Sequence, residues 1–194
     1  MNIRPVSLAG TIVKLEPLSL AHHAQLCDVG LNPDLWKFTT AEVKTPEDML
    51  EYITSALKLQ AGGTALPFAI IDKSLDKAIG STRYGNIDTV HRRLEIGWTW
   101  IGKKWQRTKT NTETKYLLLK HAFDKLGCIR VEFKTDSLNQ QSRSALLRIG
   151  AKEEGILRNH MITSTGRIRH SVYYSIIDSE WEDAGARLIE KISA

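Results

Sequence analysis

Cysteine is scarce in this chain. Only Cys27 and Cys128 occur among 194 residues. They lie far apart and match neither a disulfide framework nor a metal-ligand spacing, so both are expected as reduced, buried small hydrophobes. No apolar run approaches the ~18 residues that a membrane helix needs. The opening stretch MNIRPVSLAGTIV has no secretory apolar core, so the expectation is a cytoplasmic protein with no membrane contact. No repeat, linker or low-complexity segment interrupts the chain. His22 and His23 are adjacent on an expected helix and point in different directions, so they offer no two-ligand face and no metal is expected.

What is present is ordinary for a globular protein: 42% hydrophobic and 25% charged residues. The length favours a single domain over 1–194 with a substantial core. The net charge of +5 is partly local. Lys103, Lys104, Arg107 and Lys109 crowd residues 102–109 with no acid among them. Such a run is a solvated loop, a seat for a phosphate-bearing cofactor, or a nucleic-acid contact. Nucleic acid is disfavoured, because no reader motif accompanies the charge.

Periodicity orders the chain as follows. Residues 1–10 read as a loose lead-in. Thr11–Leu18 alternates as a half-buried strand, and Ser19 opens a helix that closes at Gly30. Trp36 and Phe38 sit in a connection, as core caps or as walls of a site. Thr45-Pro46-Glu47-Asp48 is a strong helix start, and Gly62-Gly63 ends that helix. Strands follow at Leu66–Asp72, Ala78–Ile87 and Leu94–Ile101, which should form an antiparallel meander. After a helix from about Thr112 to Gly127, Cys128–Thr135 alternates again. The crossover through that helix should make it parallel to Leu94–Ile101. A helix at Asn139–Ile149, strands at Ala151–Arg158 and Ile168–Ile177, and a final polar helix at Asp178–Lys191 complete the chain.

The stretch from Leu94 to Gly127 organises the rest. It reads as a strand, a basic loop over Gly102–Asn111, and an amphipathic helix whose Tyr116, Leu119, Phe123 and Leu126 share a face. A loop opening onto a helix N-terminus is a place to hold phosphate, because the first helical N–H groups lack partners and the macrodipole is positive there. On the strand, alternation puts Glu95, Gly97 and Thr99 on one face and Ile96, Trp98 and Trp100 on the other.

These residues carry a resemblance. The element order and the string NTETKYLLLKHAF resemble the GNAT N-acetyltransferases, above all the ribosomal-protein-alanine, or Rim-type, branch. The likeness runs from about Thr11 to Asp178. It implies an α+β fold with a mixed, mostly antiparallel twisted sheet of about seven strands. Helices would cover both faces, and the sheet would splay between two central parallel strands. In that family a Gln/Arg-x-x-Gly-x-Gly/Ala loop wraps the pyrophosphate of acetyl-CoA. Aligned on Thr112-Glu113, this chain has Gln106, Arg107, Thr108, Lys109, Thr110 and Asn111, with Lys109 and Asn111 where small residues are usual. Glycine at such places permits positive φ, which lysine adopts poorly.

The resemblance implies that residues 106–112, including Thr112, bind the pyrophosphate. It also implies that the backbone of Trp98, Thr99, Trp100 and Ile101 pairs with the pantetheine arm and polarises the thioester carbonyl. The string from Asp136 to Ala151 matches the family's Asn-x-x-Ser signature. Asn139 is then a further cofactor contact, or only a helix cap. Ser142 is a cofactor contact and candidate acid toward the leaving sulfur. Glu95 is the candidate base, or it pairs structurally with Arg83 or Arg130. His121 is expected to be structural.

The favoured reading is acetyl transfer from acetyl-CoA to a primary amine in a ternary complex. The acceptor is a small molecule or a peptide N-terminus. A homodimer is left open. The alternative is a non-catalytic acyl-CoA-binding module, motivated by Lys109.

Overall fold

A computed structural model describes all residues from Met1 to Ala194. Eight strands form one sheet: β1 (Leu8–Ala9), β2 (Val13–Pro17), β3 (Leu66–Asp72), β4 (Lys77–Asp88), β5 (Arg93–Ile101), β6 (Arg130–Asp136), β7 (Lys152–Ile162) and β8 (Ile168–Ile177). Their spatial order is β1-β2-β3-β4-β5-β6-β8-β7. Only β5 and β6 run parallel; every other pair is antiparallel. The strand beyond the expected seven is β1, two residues of the supposed lead-in that pair with β2.

The helices divide between the two faces. On one face lie α1 (His23–Gly30) and α2 (Pro46–Ala61). Thr45 caps α2 by accepting the Asp48 N–H at 3.2 Å, and Pro46 occupies the first turn. Leu26, Met49, Ile53 and Trp100 fill the space between these helices and the sheet. On the other face lie α3 (Lys109–Lys120) and α5 (Asp178–Ser193). There Leu94, Ile96, Leu118, Val131, Phe133 and Leu188 form the larger core. The last turn of α3, His121–Lys125, widens into a π-helix. Trp181 of α5 stacks on Phe123 at 5.5 Å, and Gly127 closes the helix at φ +67°. The remaining helix, α4 (Gln140–Arg148), packs on β6 and β7.

Two local findings correct the sequence reading. First, α3 begins at Lys109, three residues before Thr112, with Thr108 as its cap. Lys109 and Asn111 are therefore helical, and the positive φ of this loop falls on Arg107, at +59°. The steric objection to Lys109 disappears.

Second, strict alternation fails along β5. Ser81 pairs with Trp100 but Arg83 with Gly97. One extra residue is accommodated in β5, with Trp98 at φ +49°. This is a β-bulge, and it reverses every side chain after it. Thr99 and Ile101 join Ile96 toward α3, where Thr99 accepts from Lys115 at 2.8 Å. Trp98 and Trp100 join Glu95 on the α1/α2 side. The side chain missing at Gly85 leaves room for the Trp98 ring.

The parallel ladder between β5 and β6 has three rungs: Arg93↔Arg130, Leu94↔Val131 and Glu95↔Glu132. Beyond Glu95 the strands part, and a V opens beside the N-terminal end of α3.

That helix is anchored by Glu113. Its carboxylate accepts the N–H groups of Thr11 (2.8 Å), Ile12 (2.7 Å) and Val13 (2.7 Å) and the Thr11 hydroxyl (2.7 Å). Gly10 is needed beside it, because a Cβ there would collide with the carboxylate. Burial pushes the Glu113 pKa up, but the four donors outweigh it and hold the group below its ordinary 4.5. E113Q keeps the shape and removes the charge, setting an amide NH2 against the donor cradle. Urea unfolding at pH 7 is expected to show a loss on the order of 3 kcal/mol. A folded pKa below the unfolded one means stability present above about 4.5 and lost as pH falls below it. The gap between parent and E113Q therefore closes in acid.

Candidate active site

The site forms between two bulges. Three residue pairs along the ladder from the Trp98 bulge, β4 carries its own: Gly85 pairs with Glu95 and Asp88 with Arg93, so β4 has one residue too many. Asn86 takes φ +48° there and donates to Glu95 Oε2 at 2.8 Å. Bulges re-aim side chains in this way at sites of function. Tyr52 of α2 secures the Trp98 bulge by donating to the Trp98 carbonyl at 3.3 Å.

Glu95 is buried at the last rung of the parallel ladder. Lys134 Nζ approaches it at 3.5 Å. Burial raises its pKa above the ordinary carboxylate value, against the pull of Lys134 and Asn86. Neither structural partner expected for it is used. Arg130 binds Glu132 at 2.8 Å and Glu154 at 2.7 Å, and Arg83 makes no ion pair. Glu95 also lines an open cleft of about 760 Å³, together with Asn86, Asp88, Arg93, Glu132 and Tyr173. Arg93 is spent on Asp88 (3.2 Å) and Glu132 (3.4 Å). Carboxylates outnumber guanidinium groups three to one in this lining, although the chain as a whole is basic.

The other face of the V is closed by Lys115. It is 6% exposed, lies over the Phe133 ring at 5.9 Å, and donates to Thr99, which shares a 2.7 Å hydrogen bond with Thr82. Burial lowers its pKa to about 7, with Glu95 opposing. Sequence reasoning missed this lysine. The signal was available: Lys115 precedes Leu118 and Leu119 by three and four residues, on the apolar face of α3.

The remaining residues singled out from sequence lie at the start of α3, at the start of α4 and in the last turn of α3. The Thr108 hydroxyl receives the Thr110 N–H at 3.2 Å. The other N–H groups of the first turn, those of Lys109 and Asn111, have no partner within the helix. Arg107, Thr108 and Lys109 are exposed at this mouth. Gln106 is turned inward and donates to the Ile101 carbonyl at 3.0 Å. Asn139 caps α4 by accepting the Ser142 N–H at 3.0 Å. Ser142 is half-buried, and its hydroxyl makes no hydrogen bond within the protein. No hydrogen bond or ion pair joins it to Glu95. His121 stacks on Tyr84 at 6.0 Å.

Residues 13–152 match the family model described as an acetyltransferase (GNAT) domain, which is more than half of the chain. The chain belongs to the GNAT acetyltransferase family. A GCN5-related N-acetyltransferase from Brucella melitensis superposes with a TM-score of 0.90 at 29% identity, covering 97% of this chain and 86% of its own. In Bacillus subtilis, a provisionally named ribosomal N-acetyltransferase, YdaF, is 36% identical over 97 residues. That match spans about half of each protein, 50% of this chain and 52% of YdaF. RimJ of Mycobacterium smegmatis, solved in complex with CoA-disulfide, shares the fold at a TM-score of 0.82 and 21% identity, covering 96% of this chain and 94% of its own. The likeness to the Rim-type branch rests on the YdaF match. No helix is long and apolar enough to cross a membrane.

In this GNAT domain, the buried lysine makes a measurable prediction. Its folded pKa of about 7 lies below the ordinary 10.5. The folded state therefore holds fewer protons between those values, and stability rises with pH through that window. Below pH 7 the full penalty of a buried ammonium is present. K115M should be more stable than the parent at pH 6, by roughly 3–5 kcal/mol, and the difference should shrink toward pH 10. Denaturant melts at several pH values measure it.

Proposed function

We propose that the protein transfers an acetyl group from acetyl-CoA to a primary amine by direct attack in a ternary complex. The observation that carries this reading is the end of the β5–β6 ladder at Glu95, beside an uncovered helix N-terminus. The strand flank beyond Glu95 can pair with the amides of a pantetheine arm as an added strand would. Trp98, Thr99, Trp100 and Ile101 supply that flank. The helix mouth fits a pyrophosphate. Free N–H groups, the positive end of the macrodipole, and the Arg107 and Lys109 side chains converge there. The names of YdaF and RimJ add support for this cofactor and for a peptide or protein acceptor.

Acetyl-CoA supplies the acetyl group as a thioester. The chain's own part is positioning, electrostatics and proton handling. Glu95, with its raised pKa and its place on both the cleft and the V, takes the proton of the incoming ammonium. Asn86 and Lys134 fix the orientation of its carboxylate. A β5 backbone N–H stabilises the oxyanion as the N–C bond forms. The C–S bond then breaks, and Ser142, whose hydroxyl has no internal partner, is the donor toward the departing sulfur. The acid-lined cleft suits a cationic amine. Proximity supplies most of the acceleration.

Calorimetry is expected to show acetyl-CoA binding. A thiol-release assay against a panel of amines and peptides is expected to show turnover. Undetectable binding at millimolar acetyl-CoA would remove this reading. Binding without thiol release on any acceptor would leave a non-catalytic acyl-CoA module. E95Q should bind acetyl-CoA normally but lose about 10²-fold in kcat/KM, together with the acidic limb of the pH profile.

A further inference from the structure

Arg83 lies in the middle of β4, paired with Gly97 where the V begins to open. It is 3% exposed, and it carries a guanidinium with five N–H donors and no acceptor. It makes no ion pair and no hydrogen bond. Its Nε is fully enclosed without an acceptor, whereas its two terminal nitrogens are not sealed. The rings of Tyr52 and Trp98 hold it instead, at 5.1 and 5.3 Å. Cation–π contact recovers part of the lost hydration. It does not replace a counter-charge, and an unpaired buried ion is strongly unfavourable. Nearby, Trp100 Nε1 is a second buried donor without an acceptor, and its ring lies 6.3 Å from Tyr52. This corner of the site has donors in excess and lacks a negative acceptor.

The position of the missing acceptor relates it to the amine. Because Gly85 pairs with Glu95 and Arg83 with Gly97, Arg83 and Glu95 are diagonal neighbours across β4 and β5. Such neighbours are about 7–8 Å apart. Trp98 lies against Arg83, and Lys134 reaches both the Trp98 ring at 6.0 Å and Glu95 at 3.5 Å. A carboxylate is ready for an ammonium, and a guanidinium fork one diagonal step away is ready for a carboxylate.

We propose that Arg83 binds a carboxylate carried by the acceptor a short reach from its primary amine, so that the acceptor is an amino-carboxylate rather than a simple amine. The carboxylate is the α-carboxylate of a free amino acid or the side chain of an acidic first residue of a peptide. The proposal rests on the acetyl-transfer reading above.

The test compares free amino acids with their α-amides, and peptides beginning with Asp or Glu with peptides beginning with a neutral residue. The parent, R83M and R83K are each assayed for thiol release. In the parent, kcat/KM is expected to favour the carboxylate-bearing member of a pair by roughly 100-fold. R83M should abolish this preference through KM, and R83K should retain part of it. Preference among free amino acids assigns the α-carboxylate; preference among peptides assigns the side chain. Thermal shift gives a readout independent of turnover: a carboxylate-bearing acceptor should raise the Tm of the parent and leave that of R83M unmoved. Equal rates on acids and amides in the parent, or a preference that survives in R83M, would overturn the proposal and leave acetyl transfer standing. Loss of acetyl-CoA binding in the parent would strike the acetyl-transfer reading instead, and the thermal shift would still decide the role of Arg83.

Discussion

The last rung of the parallel ladder, Glu95↔Glu132, is the constraint on which the site depends. A β-strand with a regular period would continue to pair with its neighbour, and the sheet would be closed. The extra residue at Trp98 prevents this. A bulge adds local twist and bends its strand, and here the bend carries β5 away from β6. The same residue flips the side-chain register, sending Trp98 and Trp100 to the α1/α2 face and Thr99 to the α3 face. One backbone irregularity thus opens the V, sets an indole against Arg83 and supplies Lys115 with its hydrogen-bond partner.

Charge is distributed against the average. A chain of net +5 exposes Arg107 and Lys109 at the helix mouth and gathers Asp88, Glu95 and Glu132 in the cleft lining. A bisubstrate reaction between a polyanionic cofactor and a cationic amine calls for this separation, since each substrate then meets the opposite sign. Three buried cations are exceptions. Arg169 donates to the Ser171 hydroxyl and the Phe38 carbonyl. Lys115 sheds its proton readily, because burial outweighs everything that faces it. Arg83 has no counter-charge and is held between rings.

Much of the architecture was legible in the amino-acid pattern. Helix starts such as Thr45-Pro46, the meander of β3, β4 and β5, the parallel crossover to β6 and the closing Gly127 all follow from local chemistry and a handedness rule. The face assignments after Gly97 were not legible. A bulge changes the register without any obligatory residue type, and Trp98 at positive φ is an unusual occupant. The start of α3 was misplaced because the basic run Gln106–Asn111 reads as loop when judged by composition, whereas Thr108 is a sound cap. The partners of Glu95 were also hidden. Asn86 reaches it only through a second bulge, and Lys134 only through the cross-strand order. Arg83 was visible only as a possible mate for Glu95; its isolation is a property of two strands and a helix together.

The Glu113 clamp has a kinetic consequence. It joins residues about a hundred positions apart in the chain, so helix α3 can form early from local contacts, but its register against the sheet is not settled until β2 has been delivered. Non-local closure of this kind raises contact order and slows the final folding step. The mouth of the helix should then be among the last parts of the molecule to mature, and the amino-terminal strand, remote from the chemistry in sequence, sets when that happens.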